Sequence, residues 1–440
     1  MDRVAVVGAG LTGLTAALRL MQAGYRLTVF ERYPEPGGLV RVLEIGGEPL
    51  ECFYHHLFTT DTAYVDLARE LGLAGEIEWL PSRMGIWSHG RLWDFGTPQS
   101  LLSFRPLPWK DKVRFALSTL ALQRRTEVGG LDRITAREWL LRHQGEAAWR
   151  AIWHPLLVQK FGPMADQVAM VWLWRKIFLR GRSRSRTGMG ERLGYMRGSF
   201  ARLVRRLWSL LEAGGVELRP CDPVRRIEAA DGGGLRLLSR SGDHRFRAVL
   251  AATSLEEYLE MARHLLPEEE RERLGGARST GALCTVLELD RSLTPYYWLN
   301  IADPGFPFGG LIEHTNYIPK ERYGGRHVLY ISNYLFRDDP LFSRPARDLL
   351  DRYLPALRTI NPAFEPSWIL DVHHFRAASA QPVVTPGYSR LIPGVRTPVA
   401  GLYLSCMAQI YPEDRGQNYA VAYGERAAST LAADLGNGSV

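Results

Sequence analysis

Apolar residues at the start of the chain fall into two short runs separated by a helical pattern. Residues 2–7 (DRVAVV) are rich in β-branched side chains, which is typical of a buried parallel strand. Residues 14–23 predict a helix rich in Ala and Leu, and residues 26–30 (RLTVF) predict a second strand. Two strands and a helix within about thirty residues form a complete βαβ unit. The N-terminal pattern therefore predicts an α/β fold.

The rest of the chain separates into a region of helical pattern and a region of strand-like pattern. Residues 79–177 are predicted to be largely helical and hold nine of the twelve tryptophans. Further helices are predicted at 61–73, 200–211 and, with many charges, 255–274. Strands are predicted at 216–219, 224–228, 248–252, 283–289 and 327–333, with a hairpin turn at 232–234. Residues 401–433 predict a strand, a polar loop and a final Ala-rich helix.

Glycines occupy the turn between the first strand and the first helix, at Gly8, Gly10 and Gly13. In a dinucleotide-binding unit the first glycine permits a tight turn, the second lets the backbone approach the pyrophosphate, and the third lets the helix pack close to the strand. Glu31 ends the second strand, where a carboxylate accepts hydrogen bonds from ribose hydroxyls and repels a 2′-phosphate. These features predict a dinucleotide site and disfavour NADP.

A second paired-glycine turn follows at residues 36–41 (PGGLVR). Gly37 and Gly38 can supply backbone amides, and Arg41 a cation, to the pyrophosphate and flavin side of a cofactor. The chain then leads to Phe53–His56 (FYHH). This arrangement resembles the large family of FAD enzymes that includes monoamine oxidases, protoporphyrinogen oxidase, carotenoid desaturases and UDP-galactopyranose mutases.

Three later segments resemble the same family in the expected order. Residues 215–227 resemble the strand pair that carries the adenine-side valine, here Val224. Residues 249–253 resemble the strand that ends beside the cofactor. Residues 401–428 resemble the segment that closes over the flavin. The resemblance implies FAD, a Rossmann-like FAD-binding domain of the glutathione-reductase type, and an interleaved α+β substrate domain with a helical part and an antiparallel sheet. The expected boundaries are 1–75, 190–255 and 395–440 for the FAD domain, and 76–189 and 256–394 for the substrate domain.

The family motifs also imply which residues contact FAD. Carried over onto this sequence, they are Gly8, Gly10, Leu11, Thr12, Gly13, Glu31, Arg32, Gly37, Gly38, Leu39, Arg41, His56, Val224, Ala252, Cys406, Met407, Gly416, Gln417 and Asn418. Most relatives have Gly-Asp or Gly-Glu against the ribityl chain, whereas this chain has Ser405-Cys406-Met407. The carboxylate role is therefore lost or taken over by Glu413 or Asp414. Residues 416–418 are expected to present backbone amides to the N1–C2=O edge of the flavin.

Four residues in segments expected beside the flavin are candidate catalytic residues: His55, His56, Tyr411 and Asp414. Either histidine could donate a proton or orient the substrate, because the ordinary pKa of histidine lies near working pH. A packed and satisfied histidine pair is also compatible with the sequence. Tyr411 and Asp414 lie in a polar loop that is expected to face the cofactor or substrate. No metal site is predicted, because the histidine pair lacks a third ligand at recognisable spacing.

The absence of a second GxGxxG after a strand disfavours a dedicated NAD(P)H domain. The resemblance then gives a leading hypothesis: an FAD-dependent oxidoreductase that removes a hydride from, or desaturates, a hydrophobic or cyclic organic substrate. One alternative is a redox-neutral mutase resembling UDP-galactopyranose mutase, which Lys160 in the segment 153–162 (WHPLLVQKFG) favours. A second alternative is a non-catalytic FAD-binding scaffold.

The net charge of +8 concentrates in residues 174–197. This basic cluster is compatible with a solvated surface loop, or with a patch that binds anionic lipid or a phosphorylated substrate. No nucleic-acid motif accompanies it, so the expected partner is a small molecule. No apolar run of about 18 residues occurs, which makes the cytoplasm the expected compartment. Residues 101–122 predict an amphipathic helix that either packs on the body or makes peripheral contact with a membrane.

Overall fold

The computed structural model describes residues 3–183 and 191–437. Its strands are β1 Arg3–Val7, β2 Arg26–Phe30, β3 Val42–Ile45, β4 Glu48–Glu51, β5 Leu57–Phe58, β6 Ile77–Ser82, β7 Met84–Ser88, β8 Arg91–Phe95, β9 Glu191–Met196, β10 Glu217–Arg219, β11 Val224–Ala229, β12 Leu235–Ser239, β13 Gly242–Phe246, β14 Ala248–Ala251, β15 Ser279–Leu289, β16 Trp298–Ile301, β17 Gly310–Glu313, β18 His327–Leu335, β19 Ile369–Pro382 and β20 Leu402–Leu404. Its α-helices are α1 Leu11–Gln22, α2 Thr62–Glu70, α3 Pro98–Ser103, α4 Trp109–Arg124, α5 Ala136–His143, α6 Glu146–Ala148, α7 His154–Phe161, α8 Met170–Ser183, α9 Ala201–Ala213, α10 Leu255–Ala262, α11 Glu268–Gly275, α12 Ala346–Ile360 and α13 Gln417–Gly436.

A parallel sheet with the order β10-β2-β1-β14-β20 contains the predicted βαβ unit. The central strand β1 pairs in parallel with β2 on one side and with β14 on the other. Its Val4, Ala5 and Val6 are fully buried, as the apolar run predicts. The helix α1 begins at Leu11, so the last part of the glycine motif lies in its first turn. The βαβ prediction is confirmed.

A second sheet is mainly antiparallel and has the order β19-β15-β18-β17-β16-β7-β8. The strands β7 and β16 pair in parallel, whereas the other neighbours are antiparallel. The helix α12 packs its apolar face against this sheet through Leu349, Tyr353 and Leu357. The predicted combination of a Rossmann-like sheet and an antiparallel sheet is confirmed, while the boundaries of the two domains stay a prediction.

The prediction that residues 79–177 are largely helical is wrong for their first part. Trp79, Trp87 and Trp93 lie on the strands β6, β7 and β8, and helices begin only at Pro98. The partners of these strands come from distant parts of the chain, since β6 pairs with β9 and β7 pairs with β16. Such long-range pairing can override a local helical pattern, which is why the sequence did not reveal the strands.

Two other helical segments also differ from the prediction. The charged segment 255–274 forms two helices, α10 and α11, with Pro267 immediately before α11. Proline lacks the backbone N–H that a continuous helix would need at this point. The first part of the basic cluster is the helix α8 rather than a surface loop. Arg184 and Arg186 of that cluster lie outside the described residues.

A buried carboxylate fixes the end of β4, directly before the FYHH segment. Glu51 accepts hydrogen bonds from the Tyr195 hydroxyl at 2.8 Å, the Ser199 hydroxyl at 2.5 Å and the Phe200 backbone N–H at 2.7 Å. Burial raises the pKa of this carboxyl, while the three donors partly offset that effect. Because the donors belong to β9 and the start of α9, the network ties the FYHH segment to the core under the parallel sheet.

Candidate functional site

The glycine turn at the end of β1 leaves an open space beside Gly10. A Cβ added at Gly13 would lie 2.0 Å from the Gly8 carbonyl oxygen, so only glycine lets α1 pack this closely. Gly8 has φ +103°, and a Cβ there would lie 2.6 Å from the Ala252 carbonyl oxygen. At Gly10, in contrast, a Cβ would meet no described atom within 4 Å. The chain therefore keeps the turn tight on one side and open on the side where a pyrophosphate would approach.

Glu31 is held rigidly beside this turn. One carboxylate oxygen accepts the Ala9 backbone N–H at 2.8 Å, and the other accepts the Tyr33 N–H at 2.9 Å. Each oxygen can accept a further hydrogen bond from a ribose hydroxyl. Arg32 forms an ion pair with Glu257 instead of lying free at the site. Val224 begins β11 and is half-buried.

The second glycine turn lies directly against the first. The Gly37 N–H donates to the Ala9 carbonyl at 2.9 Å, and Gly10 and Gly37 form an isolated parallel bridge. Leu39 continues this turn as a short 3₁₀ helix. The Arg41 guanidinium stacks over the Tyr33 ring at 4.3 Å, and its buried Nε has no hydrogen-bond partner among the described residues. A buried cationic donor without a partner is costly by itself and fits an anionic group of a bound cofactor.

The C-terminal segment contributes a second set of open donors. The helix α13 begins at Gln417 without a side-chain cap, after Gly416. The buried Gln417 Nε2 has no hydrogen-bond partner among the described residues, and Asn418 Oδ1 accepts the Tyr64 N–H at 3.2 Å. These donors fit an electron-rich flavin edge. Met407 begins a short 3₁₀ helix after Cys406, and burial raises the pKa of the Cys406 thiol to about 12.

Tyr54, His56, Tyr297 and Trp298 contact one another and form an aromatic wall. The Tyr54 ring lies edge-on to Trp298 with centroids 5.0 Å apart, and His56 contacts Tyr297 and Trp298. The His56 Nδ1 lies 3.3 Å from the Tyr297 hydroxyl. The wall thus combines flat rings with neutral hydrogen-bonding groups.

The pKa values of the histidine pair favour an orienting role over proton donation, and the roles of His55 and His56 stay predictions. Burial and the charge of Arg415 lower the pKa of His55 to about 4. Burial and the nearby cations, Arg180 first, lower the pKa of His56 to about 3. Both rings are therefore neutral at neutral pH and can orient a ligand but not donate a proton as imidazolium. His55 Nδ1 lies 2.6 Å from the Phe53 carbonyl oxygen.

A cation cluster adjoins the aromatic wall; it comprises Lys160, Arg175, Lys176 and Arg415 with the carboxylates of Glu413 and Asp414. Asp414 Oδ2 accepts Lys160 Nζ at 2.6 Å and Lys176 Nζ at 2.9 Å. Arg175 pairs with Glu413 at 2.8 Å. Four cations thus face two carboxylates, which leaves an excess of positive charge.

Contacts from Arg415 connect the cluster to the wall. Its guanidinium donates to the Tyr334 hydroxyl at 2.6 Å, and the Tyr334 and Tyr54 hydroxyls are 3.1 Å apart. Both ammonium groups, of Lys160 and Lys176, lie about 5 Å from the Trp172 ring centre, a favourable arrangement for a cation.

The ionisation of Asp414 depends on the two lysines that donate to it. Burial opposes ionisation of Asp414, but the ammonium groups of Lys160 and Lys176 outweigh it and hold the pKa of that carboxyl far below its usual range. Burial and the cations around Lys160 lower the pKa of its ammonium well below the usual value, although Asp414 opposes the shift. Asp414 therefore stays ionised at working pH and positions the two lysines, so it cannot act there as a proton donor.

The structure brings some predicted residues together and separates others. Asp414 joins the cluster, whereas Tyr411 stacks on Tyr388 with centroids 6.1 Å apart. Burial raises the pKa of Tyr411 to about 12. Sequence reasoning gave no role to Tyr334, although its alternation with Tyr330 and Ser332 along β18 places the three on one face of that strand.

The chain belongs to the family of flavin containing amine oxidoreductases, which matches residues 11–431. It is 28% identical to a probable zeta-carotene desaturase of Synechococcus elongatus over 182 residues, which cover 35% of this chain and 37% of that protein. It is 30% identical to a 15-cis-phytoene desaturase of the same organism over 154 residues, which cover 31% of this chain and 32% of the desaturase. These matches thus span about a third of the curated relatives.

Solved structures share the fold over the whole chain. A protein provisionally assigned as a protoporphyrinogen oxidase, from Exiguobacterium sp. 255-15, has a TM-score of 0.76 at 19% identity and covers 98% of this chain and 99% of its own. Reduced UDP-galactopyranose mutase has a TM-score of 0.75 at 16% identity, with 100% and 94% coverage. Putrescine oxidase bound to putrescine has a TM-score of 0.72 at 18% identity, with 98% and 99% coverage.

The family membership confirms the resemblance predicted from the sequence. The chain is thus a member of a family of flavin-dependent oxidoreductases, with FAD as the cofactor. Among the described residues, no helix is both long and apolar enough to cross a membrane. The particular residues that contact FAD and substrate stay predictions.

Proposed function

We propose that this FAD-dependent oxidoreductase removes a hydride from a hydrophobic or cyclic organic substrate that lies against the aromatic wall. The observation that carries the proposal is the wall itself, where Tyr54 lies edge-on to Trp298 at 5.0 Å and neutral His56 joins them. Flat aromatic faces favour a ring or an apolar chain, and a few polar groups fix its orientation. Bound FAD supplies the two-electron acceptor for this chemistry.

The cofactor would be held by the open donors at the two glycine turns and at α13. The backbone around Gly10 and the guanidinium of Arg41 would bind the pyrophosphate, and Glu31 would bind the ribose. Gln417 and the free N–H groups at the start of α13 would meet the flavin edge that becomes negative on reduction. The open space at Gly10 and the unpaired Nε of Arg41 support this assignment.

The cation cluster adds a requirement for the substrate. The positive charges of Lys160, Lys176 and Arg415 outnumber the carboxylates that pair with them. Arg415 also contacts the wall through the Tyr334 hydroxyl. Excess positive charge at a secluded site is best compensated by an anionic ligand group. The proposed substrate therefore combines an apolar or cyclic part with a carboxylate or phosphate.

Anaerobic titration of the FAD-loaded protein tests the proposal. Amines, porphyrinogens, polyprenyl lipids and nucleotide sugars are added separately, and the flavin absorbance is followed. Bleaching by one class supports hydride removal, and Lys176→Met should then raise KM about tenfold, because a charge-assisted contact is lost. The matched control is Arg337→Met, whose side chain is 73% exposed in a surface ion pair. Bleaching by none of the classes would count against the proposal.

The cation cluster also favours a second candidate function, a redox-neutral mutase acting on a sugar nucleotide. Such a substrate carries a diphosphate, which the ammonium groups of Lys160 and Lys176 could bind. The same experiment separates the two functions. Isomerisation of a nucleotide sugar that appears only after dithionite reduction would support the mutase and overturn hydride removal.

The state of the cysteines supports a reducing compartment for the reaction. Cys52, Cys221, Cys284 and Cys406 are all free thiols. Proteins of oxidising compartments tend to pair their cysteines. The proposal therefore keeps the cytoplasm as the place of reaction.

A further inference from the structure

Exposed apolar side chains are concentrated on the two consecutive helices α3 and α4. Their exposed fractions are 56% for Leu102, 66% for Trp109, 42% for Val113, 64% for Leu117 and 46% for Leu120. Among the described residues, the other exposed large apolar side chains are Val158 and Leu370, which lie on different elements. Single exposed apolar residues are ordinary, but a contiguous group marks an interaction surface.

The helix α4 has one inner face and one outer face. On the inner face Phe115 stacks on Trp153 with centroids 5.6 Å apart, and Leu122 is buried. The outer residues Trp109, Val113 and Leu117 follow at intervals of four, so they form one stripe along the helix. The packing of α4 on the body is thus complete without the stripe, which is left in contact with solvent.

The exposed charges of α4 itself have a single sign. Every ionisable side chain that α4 exposes is basic: Lys110, Arg114 and Arg124. The acidic Asp111 is buried, as is Lys112, which donates to the Leu102 carbonyl at 2.6 Å. An apolar stripe on a helix that exposes only cations among its ionisable side chains matches the chemistry of an anionic bilayer surface, where acyl chains lie beneath negative headgroups.

A groove next to α3 offers a place for a headgroup. It has a volume of about 540 Å³ and is lined by Arg91, Leu92, Trp93, Leu102, Ser103 and Arg105. The two arginines at this groove are exposed. Guanidinium groups bind phosphate in a bidentate manner, and tryptophan is favoured at the boundary between headgroups and acyl chains.

We propose that the outer face of α3 and α4, together with this groove, binds the surface of a bilayer that contains anionic phospholipid. A second copy of the chain fits the same face less well. A twofold interface would place Lys110, Arg114 and Arg124 of each copy close to the same cations of the other, and like charges destabilise such contacts. An anionic membrane neutralises these charges instead.

Vesicle flotation of the FAD-loaded, full-length protein tests the proposal. Vesicles of phosphatidylcholine alone are compared with vesicles containing about one third phosphatidylglycerol, a fraction that gives a strongly negative surface. We expect flotation with the anionic vesicles and its weakening as salt rises. Leu117→Gln and Trp109→Gln should each lower the partition coefficient about tenfold, because each removes a large apolar side chain that the bilayer would bury. Lys110→Gln should lower it about fivefold.

Matched controls separate the stripe from general surface effects. Leu370→Gln removes another apolar side chain, 53% exposed, from β19, at the opposite edge of the antiparallel sheet from β8 and α3. Arg337→Gln removes an exposed cation away from the stripe. Neither should change flotation by more than about twofold, as for remote surface sites.

Several results would overturn the proposal. One is an absence of flotation with anionic vesicles. Another is an equal loss of flotation in Leu370→Gln and Leu117→Gln. A third is vesicle binding that does not depend on anionic lipid. A concentration-dependent dimer that Leu117→Gln abolishes, without vesicle binding, would assign the face to a second copy and also overturn it. Vesicle binding requires no turnover, so its failure is distinct from failure of the proposed function.

Discussion

Replacing Asp414 by Asn removes the carboxylate between two partly buried ammonium groups while keeping the shape of the side chain. Lys160 and Lys176 both donate to Asp414 Oδ2, at 2.6 Å and 2.9 Å. The amide of Asn cannot balance their charge, so the two ammonium groups repel each other in a secluded site. Removing one partner of a buried ion pair typically costs about 3–5 kcal/mol.

The magnitude expected here lies at the lower end of that range. The Asp414 side chain is 21% exposed, so the pair is not fully buried. Lys160 can also respond by losing its proton, because its pKa is already lowered. We therefore expect a loss of about 3 kcal/mol at neutral pH. For a chain of 440 residues the melting temperature should fall by about 3 °C.

The loss should depend on pH. Because the folded-state pKa of Lys160 is below its unfolded value, the unfolded chain binds more protons between the two, and stability rises with pH in that interval. In Asp414→Asn the carboxylate that opposes the shift is absent, so this rise is steeper. The gap between the stabilities of variant and wild type should therefore narrow as the pH rises toward the folded-state pKa that Lys160 has in the wild type.

Thermal melting of the FAD-loaded proteins at several pH values, with flavin content measured in parallel, provides the assay. The matched control is Glu260→Gln, which breaks an ion pair with Arg337 whose side chains are 65% and 73% exposed. An exposed pair of this kind contributes about 0–1 kcal/mol. If Asp414→Asn melted like Glu260→Gln, or if its deficit did not change with pH, the reasoning about the cation cluster would be refuted.

Three further predictions concern the cofactor turn and the buried histidines. Gly10→Ala should fold, as measured by circular dichroism, but should lose the absorbance of bound FAD. Gly13→Ala should fold poorly, because its Cβ would lie 2.0 Å from the Gly8 carbonyl oxygen. Glu31→Gln should weaken FAD binding about tenfold in a fluorescence titration, since a neutral amide is a weaker acceptor for ribose. Burial lowers the pKa of His314 to about 3, so between pH 7 and pH 5 wild type should lose about 2 kcal/mol more stability than His314→Gln, as measured by urea unfolding.

The parts of the site that the sequence predicted depend on local chain geometry. Gly8, Gly10 and Gly13 act within a single turn, and Glu31 ends the next strand, so their spacing alone indicates their arrangement. The same holds for Gln417, which begins the last helix. In each case the physical requirement involves residues that are close in the chain, and the structure places them as the pattern indicates.

The parts that the sequence did not predict depend on contacts between distant segments. Lys176 and Asp414 are 238 positions apart, and Tyr54 and Tyr334 are 280 positions apart. The lowered pKa of His55 follows from burial that no local pattern reveals. The strands β6–β8 were missed for a related reason, because their pairing partners come from later parts of the chain.

The helix α8 lies between the cation cluster and the helix α4, whose outer face is the proposed lipid surface. Its Lys176 belongs to the cation cluster, and its Trp174 donates to the Leu122 carbonyl of α4 at 3.1 Å. A single helical layer thus separates the proposed lipid face from the proposed substrate site. If both proposals hold, an anionic lipophilic substrate presented in vesicles should reduce the flavin of Leu117→Gln more slowly than that of wild type. The same substrate dispersed in detergent should reduce the flavin of both proteins at the same rate. Lys176→Met should slow both reactions, because it acts at the site and not at the membrane.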